Sequence, residues 1–268
     1  MRLWSGSSDT GSAMTYCLGI RTREGLVALA DGRVTSGSQV AAAQKVTMIG
    51  SDVKFIVMTS GLRSVRDKVL TYLRRGQDLD RSGGAFATIF DAVNAFTKCL
   101  RQVAEEDRAA LEKGGLVFNL HAIIGGQLAE DEEPTLFLVY PEANWIEVDK
   151  RTPYLSIGAT AYGKPILDRA LKYDTAMRHA LKLAYLSFDS SRFSSTDVGF
   201  PIDLLTYGAV DRQWRQAQFD YDDMVEQRQW WNRHITELAE RLPDSPWLDT
   251  LMPAQHGRPS VLRVEGGG

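Results

Sequence analysis

The sequence is short of cysteine, of histidine and of long apolar runs, and each shortage removes a class of function. Two cysteines, Cys17 and Cys99, among 268 residues cannot staple a small secreted scaffold, and so low a count points to a reducing compartment. The four histidines, His121, His179, His234 and His256, stand far apart, so no Cys/His cluster has metal-ligand spacing and no metal is predicted. No apolar run approaches the ~18 residues of a membrane span. The opening MRLW leads into polar residues and not into the apolar core of a signal peptide. An excess of one charge is also missing. The formal net charge of −3 gives neither nucleic acid nor an anionic membrane an electrostatic footprint to bind. Neither G-x-x-x-x-G-K-[ST] nor G-x-G-x-x-G occurs, and no G-x-S-x-G marks a Ser-His-Asp hydrolase. No cofactor is called for, and the cytoplasm is the expected location.

What is present is the composition of a globular chain, 44% apolar and 24% charged. Residues 16–21 and 26–30 read as two strands around a turn at TREG. Asp31-Gly32 is a further turn signal, after which a β pattern resumes. Residues 53–61 have the character of a buried strand ended by Gly61. The period then changes: Leu62, Val65, Val69 and Leu73 recur at three or four, which is helical. A second, longer stripe runs from Phe86 through Phe96 to Val103 and stops near Gly114. Strands are predicted over 116–125, 135–140, 144–149 and 154–158. Helices follow over about 163–172 and 175–189, then a strand over 202–208 and an amphipathic helix over roughly 220–242. Strands in runs with helices in pairs do not make a βαβ repeat. They predict an α+β fold of two antiparallel sheets stacked face to face, with helix layers outside. One domain over 15–242 and an irregular tail over 243–268 complete the division.

The stretch SAMTYCLGI, Ser12 to Ile20, carries the chemical question. A Met-Thr pair opens the first strand, thirteen residues after the chain has already begun. A threonine hydroxyl is a poor nucleophile near pH 7 and needs a base within hydrogen-bond reach. A threonine at a freed N-terminus supplies its own base, because the α-amine titrates at ~7.7–8.0. A neighbouring Lys favours the alkoxide, an Asp holds that Lys, and backbone N–H groups receive the oxyanion. The chain offers these in order: Thr15 before the first strand, Asp31 ending the second, Lys45 before the next, and Gly61 ahead of a helix. Each alone has a plainer reading. Asp-Gly is ordinarily a turn, a lone Lys a solvated charge, and Cys17 a small core residue.

In combination they resemble the proteasome-type N-terminal nucleophile hydrolases. That family has a Thr opening the mature chain and D-G-x-x-T sixteen residues later, and here Thr15 is followed by DGRVT from Asp31 to Thr35. Its next Lys-Val is matched by Lys45-Val46, and its helix opening by SGLRSVRDK through Gly61. YGKPILDRAL (162–171), VGFPIDLLTY (198–207) and the helical extension after residue 210 resemble the bacterial branch called Anbu. The resemblance covers about residues 14–242. It implies a four-layer αββα sandwich and an oligomeric threonine peptidase acting on unfolded polypeptides or peptides. Thr15, Asp31 and Lys45 are then catalytic, Gly61 and Thr35 bind the oxyanion or substrate, and the specificity pocket lies around Val34, Thr59 and Arg63. A ring or an open spiral of identical subunits is implied, and an ATPase partner is compatible with it. Two departures stand out. Ala159 occupies the place of a family Ser, with Thr160 beside it. The Asp and Ser that flank the amine in proteasomes fall near Ser195 and Val198, where Ser195, Thr196 and Asp197 are the candidate substitutes.

On this reading residues 1–14 are a leader absent from the mature chain, either an upstream extension before a natural start at Met14 or a propeptide. While they remain, Thr15 has an amide in place of an amine, and the chain as written is expected to be inactive. The non-enzymatic alternative is a structural ring or spiral subunit that keeps the fold without turnover. The stripe of Met224, Trp231, Ile235, Leu238 and Leu242, with Trp230 beside it, suggests self-association through the last helix. The plainer reading of that stripe is a helix capping its own domain.

Overall fold

The computed structural model describes residues 15–36, 39–42, 44–50, 53–79, 86–244, 248 and 251, without the side chains of 34–36, 39–42 and 77–79. The chain opens with strands β1 (Tyr16–Thr22) and β2 (Gly25–Asp31), then β3 (Arg33–Ser36), β4 (Gln39–Ala42), β5 (Val46–Ile49) and β6 (Phe55–Gly61). Helices α1 (Arg63–Leu79) and α2 (Ile89–Lys113) follow. Next come β7 (Leu120–Gly126), β8 (Thr135–Val139), β9 (Trp145–Glu147) and β10 (Tyr154–Gly158). Helices α3 (Lys164–Ala170) and α4 (Met177–Ser194), strands β11 (Ile202–Gly208) and β12 (Trp214–Phe219), and helix α5 (Val225–Glu240) complete the order.

Ten of the strands form two antiparallel five-stranded sheets, ordered β10-β1-β2-β11-β12 and β5-β6-β7-β8-β9. Alternation decides what each face does. On β1 and β2, Cys17, Leu26, Ala28 and Ala30 turn toward the second sheet and pack there with Val46, Ile56, Met58 and Ile123. The residues between them, Tyr16, Leu18, Val27 and Leu29, turn the other way onto Leu183, Ala184 and Phe188 of α4. The second sheet does the same with α1 and α2: Phe55, Val57 and Ile124 meet Val69, Val93 and Phe96. Three apolar interfaces thus separate four layers, which is the αββα sandwich. Both β1 and β2 are buried along their whole length, so their sequence reads as continuous apolar runs.

The boundaries moved where capping or exposure overrode the apolar pattern. Helix α2 starts at Ile89, because Thr88 and Asp91 form a reciprocal capping box that fixes its first turn. Strand β7 starts at Leu120 and not at 116; Val117 before it is 76% exposed and pairs with nothing in the sheet. Two elements have no counterpart in the sequence reading. The β3–β4 hairpin pairs Arg33 with Ala42 and Ser36 with Gln39 as a two-stranded sheet of its own. Strand β12 is an edge strand, WRQAQF, exposed on both faces and so without a periodic apolar signal. The last helix accordingly begins at Val225, leaving Met224 and Leu242 of the predicted stripe outside it.

The chain divides into two compact units, one ending at Val225 and one beginning at Glu226. Helix α5 is therefore described by itself. Within it Trp230 stacks on His234 with ring centroids 4.0 Å apart, while Ile235 and Leu238 are half or more exposed. No helix among the described residues is long and apolar enough to cross a membrane.

Candidate active site

The β1–β2 hairpin pairs Cys17 with Ala30 and Thr22 with Gly25. That register returns the end of β2 to the start of β1, and Asp31 comes to lie beside Thr15. The Asp31 carboxylate is fully buried, and one of its oxygens accepts three hydrogen bonds. The Thr15 hydroxyl donates to Asp31 Oδ1 at 2.6 Å, the Tyr16 N–H at 2.8 Å and the Lys45 ammonium at 2.6 Å. The second oxygen, Oδ2, accepts the Gly199 N–H at 3.4 Å. Lys45 enters from the other sheet, where it immediately precedes β5, and its ammonium also donates to the Arg33 carbonyl at 2.7 Å.

A nucleophilic hydroxyl and a cation thus share one carboxylate oxygen. Lys45 is only 8% exposed, so this pair is desolvated on both sides. Such a pair contributes little net stability, but removal of one partner leaves a buried charge and costs about 3–5 kcal/mol. Its effect is geometric: Asp31 fixes both the hydroxyl and the ammonium, and the positive charge lies where it favours an alkoxide on Thr15.

Thr15 is clamped from a third side. Its carbonyl accepts the Ala159 N–H at 2.7 Å, at the turn that follows β10. Gly158 makes this approach possible. Its φ of +89° is in the left-handed region, and a Cβ there would lie 1.8 Å from the Thr15 carbonyl oxygen. Below Thr15, the Cys17 thiol touches the Thr59 carbonyl at 4.0 Å. Burial pushes this thiol up to about 12, against the pull of Lys45, so it stays neutral and unreactive near pH 7. Tyr16 is anchored by its hydroxyl to Ser187 of α4 at 2.6 Å. Burial raises that phenol well above its ordinary value.

The structure therefore brings Thr15, Asp31 and Lys45 together. Gly61 ends β6 at the same end of the sandwich, with a φ of +128° and the Asn119 carbonyl 2.1 Å from where its Cβ would be. The Thr35 side chain lies outside the described residues, as does that of Val34. The backbone groups of Thr160 and Ser195 are paired locally. The Thr160 N–H donates to Gly158 and its carbonyl accepts from Lys164, while Ser195 ends α4 and its carbonyl accepts from Val198. No hydrogen bond joins either one to Thr15. Three contributors were not read from the sequence as partners of this site: the Gly199 N–H, the Arg33 carbonyl and the Ala159 N–H. All act through backbone atoms, and backbone groups leave no residue-type signature.

This geometry agrees with what the chain is similar to. The family model described as "Proteasome subunit" matches residues 12–206. A curated relative, proteasome subunit beta 1 of Pyrobaculum calidifontis, is 26% identical over 202 residues, covering 74% of this chain and 92% of that one. Among solved structures, the helical assembly of the Anbu complex from Pseudomonas aeruginosa has a TM-score of 0.79 and 31% identity, covering 87% of this chain and 98% of that one. Anbu (ancestral beta-subunit) from Yersinia bercovieri has a TM-score of 0.77 and 28% identity, covering 86% and 98%. The chain belongs to the proteasome subunit family, and its fold is the proteasome-type N-terminal nucleophile fold shared with the Anbu proteins.

Proposed function

We propose that this protein is a threonine peptidase that hydrolyses peptide bonds through Thr15, once residues 1–14 have been removed. One observation carries the reading: the Thr15 hydroxyl and the Lys45 ammonium converge on a single buried oxygen of Asp31. With Thr15 at the N-terminus, its α-amine accepts the hydroxyl proton as Oγ1 attacks the scissile carbonyl. The charge of Lys45 stabilises the developing alkoxide, and Asp31 keeps Lys45 in place. The oxyanion of the tetrahedral intermediate is assigned to the Gly61 N–H, at the strand end ahead of α1. The ammonium of Thr15 then protonates the departing amine, leaving an ester on Oγ1. Water attacks that ester with the amine again as base, which releases the acid and restores the hydroxyl. While residue 14 remains attached the amine does not exist, and the chain is a zymogen.

The substrate class that fits is unfolded polypeptide or peptide, handled inside a homo-oligomeric ring or open spiral. The helical assembly of the Anbu complex from Pseudomonas aeruginosa supports the latter form. The exposed Trp230, Ile235 and Leu238 make α5 the candidate assembly element. Light scattering on the full chain and on a truncation ending at Met224, which keeps β12, tests this; two species of equal size would remove α5 from assembly. The cytoplasm remains the proposed location.

A second reading has its own observation. Ala159 stands where the resemblance expects a Ser, so one accessory hydroxyl at the amine is lacking, and a catalytically weak or inactive structural subunit is favoured to that extent. Intact mass decides between the two. A chain beginning at Thr15 that gains the mass of a peptide epoxyketone is a peptidase. A verified Thr15 terminus that gains nothing is a structural subunit.

A further inference from the structure

At the end of the sandwich opposite Asp31, a cavity of about 400 Å³ opens between the two sheets, near the β5–β6 and β11–β12 turns. Its size falls within the range of small-molecule sites, roughly 300–1,000 Å³. Gln127 and Tyr207 are buried in its wall. The Gln127 amide is spent on the carbonyls of Asp131 and Glu132, and the Tyr207 hydroxyl reaches its Oε1 only at 3.4 Å. Trp214 is fixed by its indole N–H, which donates to the Lys54 carbonyl at 2.9 Å, and its ring lies 5.1 Å from that of Tyr207. Met48 completes an apolar side.

The charged groups at this cavity are two cations, Lys54 and Arg212, and no acid is among the described residues that line it. The Lys54 ammonium makes no hydrogen bond or ion pair among the described residues. Arg212 has one long hydrogen bond, from its guanidinium to the Asp131 carbonyl at 3.3 Å. The carboxylates that bear on Tyr207 are already occupied: Asp211 is paired with Arg215, and Asp131 accepts the N–H groups of Ile89 and Leu128. In a chain of net charge −3 this is a local positive site walled by aromatic rings, and such walls focus the field of the cations into the cavity.

We infer that this cavity binds a small aromatic carboxylate, its acid group between Lys54 and Arg212 and its ring against Trp214. Two cations lining one cavity match an anion of two oxygens, and the Trp214 ring lining the same cavity matches a flat apolar group. Nothing in this binding uses Thr15, so the site stands or falls independently of the peptidase reading.

The test is a titration of the full chain with phenylacetate, followed by the indole N–H resonances in ¹⁵N-correlated NMR at fixed ionic strength, with Trp214 assigned from Trp214→Phe. The Trp214 signal is expected to move saturably with phenylacetate and about tenfold more weakly with phenylacetamide. Lys54→Met is expected to weaken phenylacetate about tenfold. Arg212→Gln serves the same purpose if Lys54→Met does not fold. Equal affinity for the neutral amide, or unchanged affinity in the variant, overturns recognition of the charge. An equal response to inorganic phosphate alone overturns the aromatic class. No saturable shift with phenylacetate overturns the site itself.

Discussion

At one end of the sandwich Lys45 lies 2.6 Å from Asp31 and both are buried; at the other, Lys54 is exposed and unpaired among the described residues. The two lysines are close in sequence, one before β5 and the other before β6, and the antiparallel pairing of those strands sends them to opposite ends. The difference teaches what burial does to a charge. Lys45 has given up water, so it needs Asp31 and the Arg33 carbonyl, and its position is fixed. Lys54 keeps its water, costs the fold little, and remains available to a partner. A cation committed to the protein can tune a nucleophile; a cation left to solvent can only recruit a ligand.

The comparison breaks most visibly at Lys45. Lys45→Ala should abolish epoxyketone labelling of the mature chain. It should also lower unfolding stability by about 3 kcal/mol, because Asp31 is left buried and without its cation. Labelling that survives in a folded variant would remove Lys45 from the mechanism. Gly158→Ala comes next. The φ of +89° and the overlap with the Thr15 carbonyl predict a loss of at least about 2 kcal/mol in denaturant unfolding. Labelling should fall with it, since Thr15 must shift to make room. An unchanged midpoint would show that the Thr15 carbonyl is not held there.

A smaller effect is expected with pH. The Cys17 thiol holds its proton more tightly in the fold, about 12, than at the ordinary value of 9.0. Its contribution is therefore complete below about pH 9 and drains away as pH rises toward 12. Cys17→Ala should flatten that alkaline fall in melting temperature, whatever it does to the value near pH 7. An equally steep fall in the variant would assign the alkaline loss to other groups, the buried Tyr16 phenol first among them. The smallest effect is at the far end: Lys54→Met should change unfolding stability by no more than about 0.5 kcal/mol. A loss near that of Lys45→Ala would mean that Lys54 is a committed charge after all.

Some of this was legible before any fold was known. Val65, Val69 and Leu73 recur at helical spacing and lie in the core, and β1, β2 and β6 follow apolar runs bounded by turn residues. The proximity of Thr15 and Asp31 was readable because their spacing fits a hairpin, and Lys45 was singled out because Lys45-Val46 matches the pattern of the resembled family. The β3–β4 hairpin and β12 were not legible. Strands β3 and β4 are four residues each, too short to show a period, and β12 is exposed along most of its length, so neither leaves the apolar alternation that marks a buried strand.

What the sequence determined alone is local: the periods of its buried strands and helices, and the order in which Thr15, Asp31 and Lys45 arrive along the chain. The tertiary structure decided which of them meet. Gly199 reaches Asp31 across 168 residues, and Ala159 reaches the Thr15 carbonyl through a turn only a glycine at 158 can make. These contacts are made by backbone N–H groups, which every residue but proline carries. Their partners are chosen by where the sheets place them, and composition cannot announce that choice.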